Sequence, residues 1–383
     1  MNLEKIMSVD VKITNCSSVC FEDKSVCMLG FEGSARSEYF EGEILPFACD
    51  TQKYSESSKS LSARYMLKGK DLTGNECSIF IENNAQLSSG ELVTTPSVLT
   101  DSPLLSGFAS SDLEGRLKDT ENGVEVEIYE RVGGFDSEEI HLRDENRDIY
   151  CELLRPEGVG DKKQPIVIFS HGYNSCSEHM RHEIISVAKR GIAGIGFDYC
   201  GGGTCSKSSG KTYEMTIDSE QNDLLTVIDY VYNLPWVDKE QIYIYGGSQG
   251  GFLAGITAPE VKEKIKGLFL IFPAFCIPDH WNHRKGNCEK RFELMGMTIS
   301  SEFVDSVPLY DVYEKASQFE GEVHIFHGDA DSLVDLSYSQ KLVQCYKNAS
   351  LYIFPNQGHG FDSRFTNALC AKVASVIRKN QKK

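Results

Sequence analysis

Ile242-Tyr243-Ile244-Tyr245-Gly246-Gly247-Ser248-Gln249-Gly250-Gly251 decides how the second half of this chain folds. The first four residues are apolar or aromatic throughout and read as a strand buried on both faces. A helix-compatible stretch begins at Gly251. Between them stands Gly-x-Ser-x-Gly, whose small residues permit a sharp strand-to-helix turn that lifts the serine hydroxyl above the sheet. Ser248 is therefore the candidate nucleophile. The plainer alternative is a glycine-rich helix start with Ser248 as its capping residue.

A serine hydroxyl is a weak nucleophile at neutral pH and needs a base, which in turn needs an orienting acid. Both occur after later strand-like runs. Val323-His324-Ile325-Phe326 leads into His327-Gly328-Asp329-Ala330-Asp331, and Leu351-Tyr352-Ile353-Phe354 leads into Pro355-Asn356-Gln357-Gly358-His359-Gly360-Phe361. His359 is the expected base and Asp331 the expected acid. Asp329 is the main rival acid and Asp335 a weaker third, because spacing does not resolve a two-residue shift along a loop. An oxyanion needs two fixed donors. The Gln249 N–H follows the nucleophile at a helix start, and the Tyr173 N–H lies in Ser170-His171-Gly172-Tyr173-Asn174, after the strand-like Ile166-Val167-Ile168-Phe169.

From about Ile140 onward, apolar strand-like runs alternate with helical stretches, which predicts a mostly parallel sheet flanked by helices. Before that the rhythm is different. Val124-Glu125-Val126-Glu127-Ile128-Tyr129 and similar runs from Val11 to Val132 alternate with period two, with turn signals at Gly69, Thr73-Gly74-Asn75, Ser88-Ser89-Gly90 and Glu121-Asn122-Gly123. About eight such strands predict a closed antiparallel β-barrel, which leaves no exposed edge. The expected domains are 1–132 and 138–383, with a hinge at Gly133 to Glu139.

Composition removes several classes. A net charge of −17 repels nucleic acid over most of the surface, and there is no basic patch. The longest clean apolar stretch, near Gly267 to Phe272, is far short of the roughly 20 residues of a membrane span. The start lacks a basic and then apolar run, so a cytoplasmic protein with no membrane partner is expected. The 13 cysteines are odd in number and irregularly spaced, which favours reduced thiols. His179-Met180-Arg181-His182-Glu183 and His280-Trp281-Asn282-His283 each lack an identifiable third ligand, so no metal is expected. Asp198-Tyr199-Cys200-Gly201-Gly202-Gly203 lacks dinucleotide-binding spacing, and no cofactor is expected.

Ser170 to Tyr173, the Asp198 to Gly203 loop, Gly246 to Gly250, His327 to Asp331 and Gly358-His359 together resemble the α/β-hydrolase superfamily. Over about Glu138 to Lys383 the chain is similar to bacterial serine esterases related to cinnamoyl and feruloyl esterases. The resemblance implies Ser248, Asp331 and His359 as a triad, Tyr173 and Gln249 as oxyanion donors, and a cap insertion at about 273–316. The cap carries Phe275, Trp281, Phe292 and Met295, which either line a pocket for an aryl or medium acyl group or fill the cap's own small core. The first half resembles small bacterial lipocalin-like barrels of unknown function, through Phe40 to Asp50, Ala63-Arg64-Tyr65 and Thr94 to Phe108. Pocket-shaping or a homodimer contact is its expected role, ahead of independent ligand binding. The activity expected from all of this is hydrolysis of small-molecule carboxylic esters through an acyl-serine. The alternatives are an oligopeptidase or aminopeptidase of the same fold, an acyltransferase, and a binding protein that uses the barrel.

Overall fold

The computed structural model describes residues 2–87, 92–121, 123–143, 146–160 and 162–382. The turn residues Ser88-Ser89-Gly90 and Asn122 lie outside the described residues. By contacts the chain divides into two units, residues 1–133 with 363–382, and residues 134–362.

The first unit contains β1 (Asn2–Phe21), β2 (Lys24–Arg36), β3 (Phe40–Ile44), β4 (Cys49–Ser55), β5 (Ser58–Asp71), β6 (Glu76–Leu87), β7 (Val93–Thr100), β8 (Leu113–Thr120) and β9 (Gly123–Val132). All neighbours pair antiparallel. The order β1-β9-β8-β7-β6-β5-β3-β2 closes into a ring through a β1–β2 pairing, with β4 between β2 and β5. Period-two alternation explains why it closes around a core: in β6, Cys77, Ile79, Ile81, Asn83 and Ala85 are all buried, while Phe80 and Glu82 between them are not. The apolar cavity inside, lined by Tyr39, Ile79, Ile81, Phe108 and Ile128 among others, holds only about 30 Å³, room for a water or two.

The C-terminal helix Ser363–Gln381 goes with this ring, although the sequence places it in the second domain. Its partner is a short 3-10 turn, Leu105–Ser110. Lys372 Nζ donates to Ser106 Oγ (2.9 Å), Arg378 donates to the Ser110 carbonyl (3.2 Å), and a Cβ on Gly107 would stand 2.7 Å from the Lys372 nitrogen. The α-periodic apolar face of this helix was readable, but nothing in it names the surface that would cover it.

The second unit holds an eight-stranded sheet. Its strands are β10 (Phe135–Arg143), β11 (Asp148–Pro156), β12 (Gln164–Ser170), β13 (Ala193–Phe197), β14 (Val237–Gly247) and β15 (Gly267–Ile271), followed, after an insertion carrying the hairpin β16 (Arg291–Leu294) and β17 (Met297–Ser300), by β18 (Glu322–Gly328) and β19 (Ala349–Phe354). Spatial order is β10-β11-β13-β12-β14-β15-β18-β19; the pairs from β13 to β19 run parallel, and β10 and β11 pair antiparallel. The expected hinge is corrected here, since Phe135–Arg143 is the first strand of this sheet. Every residue of β12, β13 and β15 is buried, as a sheet covered on both faces requires. The covering helices include α1 (Arg181–Lys189), α2 (Ile217–Asn233) and α3 (Gln249–Thr257). Leu224, Val227, Ile228 and Val231 of α2 share one apolar stripe with no exposed surface. The loops that carry the candidate site residues all leave the carboxyl ends of parallel strands, which gathers them at one edge.

Candidate active site

Ser248 stands between β14 and α3 at φ 53° and ψ −118°, a conformation that side-chain-bearing residues rarely adopt. The surroundings hold it there: its N–H donates to Ile271 O (2.9 Å), and its carbonyl accepts from Phe252 N (3.0 Å) and Ala274 N (2.9 Å). The glycines around it are required for different reasons. A Cβ on Gly246 would lie 2.6 Å from Gly250 O, and one on Gly250 would lie 2.2 Å from Ser170 O and 2.4 Å from His171 O, all backbone atoms. Gly247 has space, with nothing nearer than 3.9 Å. Gly250→Ala is therefore expected to cost about 3 kcal/mol or more of stability, and Gly247→Ala within about 0.5 kcal/mol, as read from denaturant midpoints. Equal effects would refute this reading of the turn.

The Ser248 side chain makes no capping bond to α3. Its Oγ lies 2.8 Å from His359 Nε2, and His359 Nδ1 lies 2.7 Å from Asp331 Oδ2. Asp331 Oδ1 also accepts from Leu333 N (2.9 Å) and Val334 N (3.0 Å), and His327 Nε2 stands 3.4 Å from Oδ2. Burial would raise the Asp331 carboxyl, but the hydrogen bonds from His327, His359 and the two backbone N–H groups outweigh it and hold the pKa well below the usual carboxylate range. The rival acids have other partners. Asp329 accepts from Asn356 N (2.6 Å), and Asp335 caps the helix Leu336–Cys345 through Ser337 N (2.9 Å).

Gly172 runs close to the serine, its Cβ position 3.1 Å from Ser248 Cβ and 3.7 Å from Ser248 Oγ. The Gln249 N–H is among the first four of its helix, which have no intrahelical acceptor. His171 is structural: Nδ1 donates to Gly172 O (2.8 Å), Nε2 accepts from Tyr199 N (3.0 Å), and burial lowers its pKa so that it stays neutral. The Asp198 loop is equally internal, with Asp198 accepting from Ser177 N and Lys207 N, both at 2.7 Å.

Of the two cap residues singled out, Phe275 is 1% exposed, its ring 5.4 Å from Phe252 and 5.3 Å from Tyr313, so it belongs to the core and has no free face for a ligand. Trp281 is packed against Phe303 (5.8 Å) and Phe292 (6.0 Å). Sequence reading missed Phe272, which has φ 36° and a ring 4.4 Å from that of His359. It also missed the β16–β17 hairpin turn, where Tyr173 OH donates to Leu294 O (3.0 Å) and Asn174 Nδ2 to Met295 O (3.1 Å). The expectation of reduced thiols is corrected at one pair. Cys176 and Cys205 are disulfide-bonded, with Cα atoms 6.0 Å apart, and join the Tyr173 loop to the loop after β13. His179 approaches the same two sulfurs, the three ligand atoms lying within 4.8 Å of one another. With both sulfurs joined in a disulfide, neither is a thiolate that could hold a metal ion beside His179.

The chain matches the prolyl oligopeptidase family over residues 178–380, more than half its length. The chain belongs to that family. Fold and family together place it among the serine hydrolases of the α/β-hydrolase fold. The solved structure of Est1E from Butyrivibrio proteoclasticus with ferulic acid bound is 25% identical, with TM-score 0.58, over 64% of this chain and 100% of that one. Mouse prolyl endopeptidase FAP is 24% identical over 245 residues, 60% of this chain and 31% of FAP. Dipeptidyl aminopeptidase BIII of Pseudoxanthomonas mexicana is 23% identical over 256 residues, 58% of this chain and 35% of that enzyme. The chain thus spans about a third of the length of these two peptidases. No helix among the described residues is long and apolar enough to cross a membrane.

Proposed function

We propose that this protein hydrolyses carboxylic esters through an acyl-serine intermediate, with aromatic acyl groups as the first substrate class to test. The observation that carries the reading is the continuous line from Asp331 through His359 to Ser248, with 2.7 Å and 2.8 Å contacts. His359 Nε2 takes the Ser248 proton as Oγ attacks the ester carbonyl, and Asp331 holds the imidazole by Nδ1 and stabilises its charged form. The N–H groups of Gln249 and Tyr173 face the oxyanion. His359 returns the proton to the leaving alcohol, and water repeats the cycle to release the acid.

Support for an ester comes from Est1E, whose whole chain corresponds to part of this one and whose structure holds bound ferulic acid. The insertion after β15 also carries an open surface hollow lined by His283, Arg284 and Phe292 among others, and none of the triad residues lines it. The second reading is a peptidase, favoured by the family match.

The test labels the protein with a fluorophosphonate, maps the adduct, and compares acetyl, butyryl and hydroxycinnamoyl esters with proline-containing peptide anilides. Adduct at Ser248 and kcat/KM for the best ester at least about tenfold above the best peptide are expected. A peptide preference overturns the ester assignment. Labelling absent from Ser248 overturns the serine chemistry.

A further inference from the structure

Glu220 lies in the first turn of α2 and has no exposed surface. Its Oε2 accepts a 2.5 Å hydrogen bond from the side-chain Nε2 of Gln249, the residue that follows Ser248. Its other oxygen, Oε1, is buried and has no hydrogen-bond partner among the described residues. That oxygen sits beside the glycine loop after β13, 3.3 Å from the Cβ position of Gly202. A carboxyl group wholly buried and half satisfied is costly, and such costs concentrate where function needs them.

We propose that Glu220 is a positioning residue of the oxyanion hole: by holding the Gln249 side chain it fixes the Ser248–Gln249 peptide, whose N–H faces the developing negative charge. This rests on the assignment of Ser248 and Gln249 made above. The geometry gives the reason. Gln249 begins its helix, where the backbone lacks half of its hydrogen bonds and the first turn is free to fray. Nearby, Ser248 is held in a strained conformation that tends to relax. A side chain anchored from a different helix removes that freedom.

The protonation state matters as well. Burial raises the Glu220 carboxyl to about 8, the Gln249 amide pulls the other way, and the charge of Asp223 adds to the rise. The groups around it are Asp223 on its own helix, itself paired with Arg147 at 2.5 Å, Gln249 on α3, Tyr173 from the loop after β12, and Tyr199 from the loop after β13. Glu220 is thus neutral at pH 7. Above about pH 8 it ionises and sets a negative charge against the Gln249 side chain, so turnover falls on the alkaline side.

The experiment compares wild type, Glu220→Gln, Glu220→Ala, Gln249→Ala and the Glu220→Ala/Gln249→Ala double variant on a 4-nitrophenyl ester from pH 6 to 10, with fluorophosphonate labelling and thermal melting in parallel. Glu220→Ala and Gln249→Ala each lower kcat by about tenfold or more with KM within about twofold, and the double variant is no worse than either alone. Glu220→Gln keeps an acceptor for Gln249, restores kcat near pH 7, and lacks the alkaline loss. Folded Glu220→Ala or Gln249→Ala with wild-type kcat, or additive effects in the double variant, would each overturn the proposal, and an alkaline limb unchanged in Glu220→Gln would assign that limb to another group. Should Glu220→Ala not fold, Gln249→Ala carries the test, because it leaves the backbone N–H in place. A wild-type chain that neither labels nor hydrolyses fails the underlying assignment, which is a different result from variants equal to an active wild type.

Discussion

Ser248→Ala lowers ester kcat by roughly 10⁴-fold or more, about 5 kcal/mol or more of transition-state stabilisation, while the melting temperature moves by no more than a few degrees. The size follows from covalent catalysis: without Oγ no acyl-enzyme forms, and only the oxyanion donors and substrate binding remain. The small thermal effect follows from local structure. The Ser248 backbone is held by bonds to Ile271, Phe252 and Ala274, none of which uses the side chain, and the hydroxyl makes no helix cap. Alanine at φ 53° is somewhat strained, as serine already is there. Stopped-flow detection of an ester burst in wild type, and its loss in the variant, reads the same step directly. A folded Ser248→Ala protein retaining turnover within about tenfold of wild type would remove the acyl-serine mechanism.

Asp331→Asn gives the second large loss, about 10³- to 10⁴-fold in kcat, whereas Asp329→Asn stays within a few fold. The two residues are two positions apart on one loop, yet their surroundings differ. The Asp331 side chain has no exposed surface and meets His359 Nδ1, so its amide replacement offers the imidazole a donor where it needs an acceptor and favours the wrong tautomer. Asp329 is exposed and ties Asn356 N to the loop, a bond that an asparagine oxygen also accepts. Reversal of these two results would move the acid to Asp329. A stability consequence follows from the same contacts. Because the folded-state pKa of Asp331 is depressed, its contribution is complete above the unfolded value near 4 and is lost as pH falls through the acid range. Wild type should therefore lose more stability than Asp331→Asn between about pH 5 and pH 3, as measured by urea midpoints.

Much of this was legible in the chain itself, because strand and helix periods, the Gly-x-Ser-x-Gly turn and the order of serine, acid and base are local patterns. Glu220 shows where such reading falls short. It stands four residues before Leu224 and seven before Val227, on the apolar stripe of α2, so its burial was visible in principle. What it touches was not, since Gln249 lies 29 residues away on another helix. Phe275 failed in the opposite direction: an aromatic residue in a cap suits a pocket wall and a packed core equally well, and only its neighbours separate them.

Local pattern alone carried the two architectures and the candidates Ser248 and His359, with Asp331 preferred over its rival Asp329, since hydrophobic period and turn chemistry act over a few residues and leave their mark in order along the chain. Tertiary structure alone decided that Asp331 rather than Asp329 faces His359, that Cys176 meets Cys205, that the last helix packs with the first unit, and that a buried carboxyl reaches the residue after the nucleophile. Those choices depend on distances between groups far apart in the chain, which are fixed when the sheet and helices pack and not by any local preference.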